Sequence, residues 1–182
     1  MARLTTPLEK VLPSLRTPVV LGPMANAAGG ALCGAVSHAG GFGFIGAGYY
    51  TPDVLDRELA LAHARLDLTR APGDGARVEF GVGFLCWRLT ALNGGAAPVD
   101  GDVDGAQGRS DAYALIDIAL RARVRAIWLS FGTPDELRAW ARVVRAREAA
   151  INGPGGALKL FVLAGVEAEL APAVQDLSLI HI

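Results

Sequence analysis

The sequence predicts an α/β protein built from repeated parallel βα units, and three observations carry that prediction. Short apolar runs alternate with helical patterns along the 182 residues. Glycines gather where the runs end, nine of them between Pro18 and Tyr50. Each crossover between runs is one helix long, which implies right-handed parallel units. Two architectures meet these conditions. One is an open doubly wound sheet; the other is the first five strands of an eight-stranded βα barrel, which needs roughly 250 residues when complete.

Met1 to Arg16 reads as a lead-in, with Leu4, Leu8, Val11, Leu12 and Leu15 spaced for a short amphipathic helix. Val19-Val20-Leu21 is the first strand, and Gly22-Pro23-Met24 cannot continue it. A small-residue helix follows, with Ala28, Leu32, Ala35, Val36 and Ala39 at helical spacing, and stops at Gly40-Gly41. Phe42 to Ile45 is the second strand, closed by Gly46-Ala47-Gly48. Thr51-Pro52-Asp53 starts the next helix: Thr caps, Pro fits the first turn and Asp meets the positive end. Leu55, Leu59, Ala62 and Leu66 give it one buried face, and Ala71 to Gly75 ends the unit.

Val78 to Phe84 is the third strand, apolar enough to be covered on both faces. Asn93 to Gly108 reads as a surface loop over the strand ends. Its Asp100, Asp102 and Asp104 suggest a calcium loop only superficially, because the terminal acidic ligand and flanking helices are missing. Ser110 and Asp111 open a helix with Leu115, Ile116, Ala119 and Leu120 inward. Arg125 to Phe131 is the fourth strand. Thr133-Pro134-Asp135-Glu136 is a capping box, and Leu137, Trp140, Val143 and Val144 face inward behind it. Leu158 to Leu163 is the fifth strand, and Val166 to Gln175 a short helix. Asp176 to Ile182 has no cap, turn signal or period and reads as a foreign ending on a domain spanning residues 1–175.

Composition narrows the function classes. A net charge of −1 without a basic stripe argues against a nucleic-acid partner. No apolar run reaches the roughly 18 residues of a membrane span, and the N-terminus has no secretory core, so the expected location is the cytoplasm. Cys33 and Cys86 lie far apart in apolar settings and the three histidines are scattered, so buried thiols are expected and no metal.

In either architecture a ligand faces the C-terminal strand ends. Those ends are Gly22 to Asn26, Gly46 to Gly48, Gly83 to Trp87, Ser130 to Gly132 and Ala164-Gly165. Glycines, backbone amides, a Met, a Phe and a Trp suit a planar aromatic cofactor better than a highly charged substrate. Asn26 either caps the following helix or touches that ligand, and Ser130 could donate to it. Gly41 to Gly46 spells a dinucleotide GxGxxG, yet its Phe42, Phe44 and Ile45 form the strand itself and open no helix. His38 at a helix end and His63 beside the Ala62 face read as structural, and His181 lies in the anomalous tail. Cys86 lacks a basic partner and reads as buried.

The segments TPVVLGPMANAAGGALCGAVSHAGGFGFIGAGYYTPDVL, VEFGVGFLCW, AIWLSFGTPDEL and KLFVLAGVEAELAPAV resemble the nitronate monooxygenase family, once called 2-nitropropane dioxygenases, over about Thr17 to Gln175. The resemblance implies a (β/α)8 TIM barrel of which the chain supplies the first half or slightly more. It also implies FMN at the barrel mouth and oxidation of alkyl nitronates by molecular oxygen. Pro23-Met24-Ala25 matches the segment lying along the flavin. Gly83 stands where many members carry an Asn near it, so a side-chain donor is lost. Ser130 and Gly132 match the motif near the ring face. Pro23, Met24, Ala25, Gly83, Phe84 and Ser130 are thus the candidate cofactor-binding residues. The family's base, a histidine in a Gly-rich motif, and its phosphate-gripping amides are expected beyond this sequence, which points to a fragment or shortened isoform. Two other readings stay open: a non-catalytic half-barrel that binds or regulates a partner, and an NAD(P)-dependent oxidoreductase. Against the latter, Asp53 sits at a helix start and not at the ribose-binding position.

Overall fold

The computed structural model describes residues 6–66, 77–99, 110–153 and 157–163. The strands are β1 (Val20–Leu21), β2 (Phe42–Gly46), β3 (Val78–Leu85), β4 (Val124–Ser130) and β5 (Lys159–Val162). They form one parallel sheet in the order β1-β2-β3-β4-β5. A doubly wound sheet would reverse direction at some strand; this one never does. Sequential winding makes it a half-barrel with helices outside, as the family resemblance implied. The proposed final helix, the anomalous tail, most of the acidic loop and the Ala71 to Gly75 break lie outside the described residues.

Strand alternation divides the interior into two layers. On the concave face Phe42, Phe44, Ala126 and Phe161 pack together with Leu12 and Leu15, and Trp128 joins them. The inward Leu12 and Leu15 bear out the lead-in's apolar pattern, but its helix, α1 (Leu8–Val11), is a single turn. Pro13 lies just past it and removes the next backbone donor. Ser14 then donates to Glu79 at 2.6 Å, fixing this segment against the start of β3. On the convex face Ile45, Phe80, Val82, Phe84, Ile127, Leu129 and Leu160 meet the helices.

Those helices are α2 (Gly30–His38), α3 (Pro52–Arg65), α4 (Cys86–Leu92), α5 (Asp111–Arg121) and α6 (Pro134–Asn152). The faces expected of α3, α5 and α6 are the buried ones: Leu55, Leu59 and Ala62; Leu115, Ile116, Ala119 and Leu120; Leu137, Trp140, Val143 and Val144. The α6 capping box is present in both directions, with Glu136 N–H donating to Thr133 Oγ1 at 3.2 Å and Thr133 N–H to Glu136 Oε2 at 2.8 Å. Thr51 holds the cap position of α3, but its hydroxyl donates to Asp53 at 2.5 Å instead of receiving a backbone amide.

In α2 the packing face differs from the expected apolar stripe. Gly30, Cys33 and Gly34 are buried, while Leu32 is 45% exposed. A Cβ at Gly30 would lie 1.8 Å from the Glu58 carbonyl oxygen, and one at Gly34 2.5 Å from that of Ala62. Only glycine lets α2 approach the α3 backbone so closely. Helix α4 was not foreseen: Cys86 and Trp87, read as strand end, are its first turn.

Candidate functional site: the C-terminal rim

The rim is organised by the loop leaving β1. Its Met24 carbonyl accepts from Ala27 N–H at 3.1 Å and Ala28 N–H at 2.8 Å, a turn completed by Asn26 at φ 61°. Asn tolerates that left-handed conformation better than most residues. Asn26 is therefore a turn residue and not the cap of α2. That cap position is Gly29, and the carboxylate of Glu58 accepts the Gly30 N–H at 2.6 Å. The loop is tied to the second strand where Gly46 N–H donates to the Ala28 carbonyl at 2.8 Å.

Two glycines receive this loop. A Cβ built on Gly46 would lie 2.4 Å from the Met24 carbonyl oxygen and 2.9 Å from Ala25 N. One built on Gly83, the register partner of Gly46, would lie 2.2 Å from Pro23 Cβ and 2.5 Å from Cγ. At Gly48 it would meet Leu85 Cδ1 at 2.7 Å and Ala25 Cβ at 3.6 Å. Pro23, Met24, Ala25 and Gly83 thus come together on one rim. The loop lies over the tops of β2 and β3, and Met24 stays 49% exposed.

The other two candidates are placed differently. Phe84 is 1% exposed in the convex core, because alternation from inward Gly83 turns it toward the helices. Its ring is not part of the mouth; only its backbone reaches the rim. Ser130 is buried, and its hydroxyl donates to that same Phe84 carbonyl at 3.2 Å. It ties β4 to β3, so its donor is already used within the protein.

Exposed aromatic surface completes the rim. Tyr49, in the loop after β2, and Trp87, in the first turn of α4, stand edge to face with centroids 6.3 Å apart and are about half exposed. Tyr49 escaped the sequence reading, although it directly follows Gly46-Ala47-Gly48. Phe131 is 64% exposed at φ 52°, and its carbonyl accepts Trp87 N–H at 3.2 Å. A non-glycine residue in that region stores conformational energy that the surrounding contacts must hold.

Among the described residues, neither His38 nor His63 stands at this rim. His38 is exposed in the last turn of α2, where its carbonyl accepts from Arg16 at 2.8 Å. His63 packs beside Phe80 at 5.3 Å, and burial lowers its pKa. Among the described residues no group of three His, Cys, Asp or Glu could hold a metal ion. Nor is any described helix long and apolar enough to cross a membrane.

Both thiols are buried. Burial pushes Cys33 up to about 12; burial, then the charge of Glu136, does the same to Cys86, opposed by a hydrogen bond from the Ser130 backbone. Neither is a thiolate at neutral pH, and Cys86 is buried as the sequence implied. Native protein should therefore resist a disulfide reagent at pH 8 that labels both cysteines in denaturant. The unfolded thiols titrate near 9 while the native ones hold their protons to about 12. Stability should then fall as pH rises above 9, by about 1.4 kcal/mol per pH unit for each thiol. Rapid native labelling, or a flat stability profile from pH 9 to 11, would contradict this.

With this geometry in view, the comparisons with known proteins are informative. The model of the nitronate monooxygenase family matches residues 7–72, which hold α1, β1, the rim loop, α2, β2 and all of α3. No curated protein matches the chain. Among solved structures, FabK from Thermotoga maritima superposes with a TM-score of 0.61 at 21% identity, covering 95% of this chain and 42% of that one. The FabK (M276A) mutant from Thermotoga maritima gives 0.58 at 21% identity, covering 91% and 41%. At that identity the likeness establishes the fold, and this chain spans less than half the length of those structures. Over residues 7–72 the chain is thus similar to the nitronate monooxygenase family, within a sheet that continues into a βα half-barrel.

Proposed function

We propose that the chain supplies the flavin-cradling half of a flavin-dependent oxidoreductase, with FMN as cofactor. The reaction proposed is the oxidation of alkyl nitronates by molecular oxygen. One observation carries this reading: within the family-matched segment, Pro23-Met24-Ala25 is seated across the glycine tops of β2 and β3 at the rim where βα barrels bind ligands.

The donor set fits a planar ring. Pro23, Met24, Ala25 and Gly83 would hold it, offering apolar surface and a backbone that the glycines allow to sit low. When bound, the flavin supplies the redox chemistry with substrate and oxygen. The chain's own share is to bind and orient the ring and to exclude water with Met24 and the Tyr49–Trp87 pair. Ser130, committed to the Phe84 carbonyl, sets the β3–β4 rim and does not move a proton.

Titration of the purified chain with FMN tests the first half of the proposal, and oxygen uptake with an alkyl nitronate the second. Saturable binding that perturbs the flavin spectrum is expected. A chain that is folded by circular dichroism yet leaves that spectrum unchanged would refute the cofactor assignment. Nitronate-dependent oxygen uptake by the FMN-bound chain would support the substrate, and bound FMN that an alkyl nitronate neither perturbs nor reduces would refute it.

A further inference from the structure

From the packing at the rim we infer that Gly83 and Pro23 are a matched pair that sets the height of the flavin-facing loop, so that Gly83 is a positioning residue acting through Pro23. This rests on the proposed function for its ligand, but its geometry stands apart. Gly83 lies on the concave face, in register with Gly46 on one side and Trp128 on the other. The volume a side chain would take there is filled by the Pro23 ring, with Cβ at 2.2 Å and Cγ at 2.5 Å from the built Cβ position.

A proline ring cannot swing aside as a flexible side chain would, because the ring is closed onto its own backbone. Any side chain at 83 must therefore move the loop itself. Gly46 makes the same demand one strand over, against the Met24 carbonyl and Ala25 N. The loop's tie to β2, Gly46 N–H to the Ala28 carbonyl, exists only while the loop is seated. As the loop is seated in this chain, side-chain volume at 83 and ring volume at 23 compete for one space.

The test is a double-mutant cycle with Gly83→Ala, Pro23→Gly and the pair, read by amide exchange at Gly46 and by FMN titration. Gly83→Ala should speed Gly46 exchange at least tenfold beyond any change in the global unfolding rate and weaken FMN binding at least tenfold. The double variant should restore most of the Gly46 protection. Gly81→Ala is the control for general overpacking: its Cβ would strike the Phe44 ring at 2.4 Å, away from the loop, so it should lower stability without selectively exposing the Gly46 amide. If Gly83→Ala fails to fold, the double variant should fold; its failure too would overturn the inference. Unchanged Gly46 exchange in Gly83→Ala, or no recovery in the double variant, would overturn it equally. A parent chain that takes no FMN would refute the proposed function, while the exchange results would still decide the pairing.

Discussion

Replacing Glu148 with Ala should cost about 3–5 kcal/mol, enough to consume a large part of the stability of a domain this size. Glu148 is 4% exposed and ion-paired with Arg77, itself 6% exposed. Arg77 has little other compensation: its Nη1 donates to the Val124 carbonyl at 2.9 Å, and Arg123 and Arg125 stand nearby. Burial, followed by those two charges, pushes Arg77 down to about 10. Deleting the carboxylate leaves a desolvated cation among cations. It also removes an acceptor from Asn152, whose amide links Glu148 at 2.8 Å to the Leu120 carbonyl at 3.0 Å and so joins α6 to α5. Urea unfolding should show a lower midpoint at unchanged slope. Replacing both partners with apolar residues of similar volume should recover most of the loss, since a buried pair contributes little beyond an apolar substitute. A loss below about 1 kcal/mol in the single variant would mean that water reaches Arg77.

Phe44→Ala should be comparably severe, again about 3–5 kcal/mol. Phe44 is fully buried at the centre of the concave layer, edge to face with Phe42 at 5.1 Å, Trp128 at 5.2 Å and Phe161 at 5.4 Å. These contacts join β2 to β4 and β5, two strands that do not pair with it, so the void would loosen the sheet's curvature as well as remove burial. Gly81 faces the ring so closely that the strand between them offers nothing to fill the space. Phe44→Leu should lose clearly less. Thermal melts of the two variants check this, and equal melting temperatures for Ala and Phe at 44 would contradict it.

Much of this architecture was legible because its causes are local. Hydrophobic periodicity found the buried faces of α3, α5 and α6, and the Thr133 capping box needed only four consecutive residues. The GxGxxG string was correctly separated from a nucleotide loop, since Phe42–Gly46 is indeed strand. What stayed hidden depends on residues distant in sequence. The buried face of α2 is glycine because α3's backbone meets it, which no hydrophobic pattern records. Phe84 was grouped with the rim by position along the strand, whereas its direction follows from alternation relative to Gly83. Ser130 sits at the expected strand end, but its hydroxyl is spent on a neighbouring strand. The Arg77–Glu148 pair joins the start of one strand to a helix far along the chain, and neither residue has a local signature.

The seam between α2 and α3 bears on how the rim behaves. At Gly30 and Gly34 main chain abuts main chain, and Glu58 pins the first amide of α2. A junction of that kind contains no rotamer that can flip to absorb a displacement, so the two helices should travel as one stiff plate. The segment bearing Met24 is thereby clamped at its downstream end, while at its upstream end a Cβ on Gly22 would meet nothing within 4 Å.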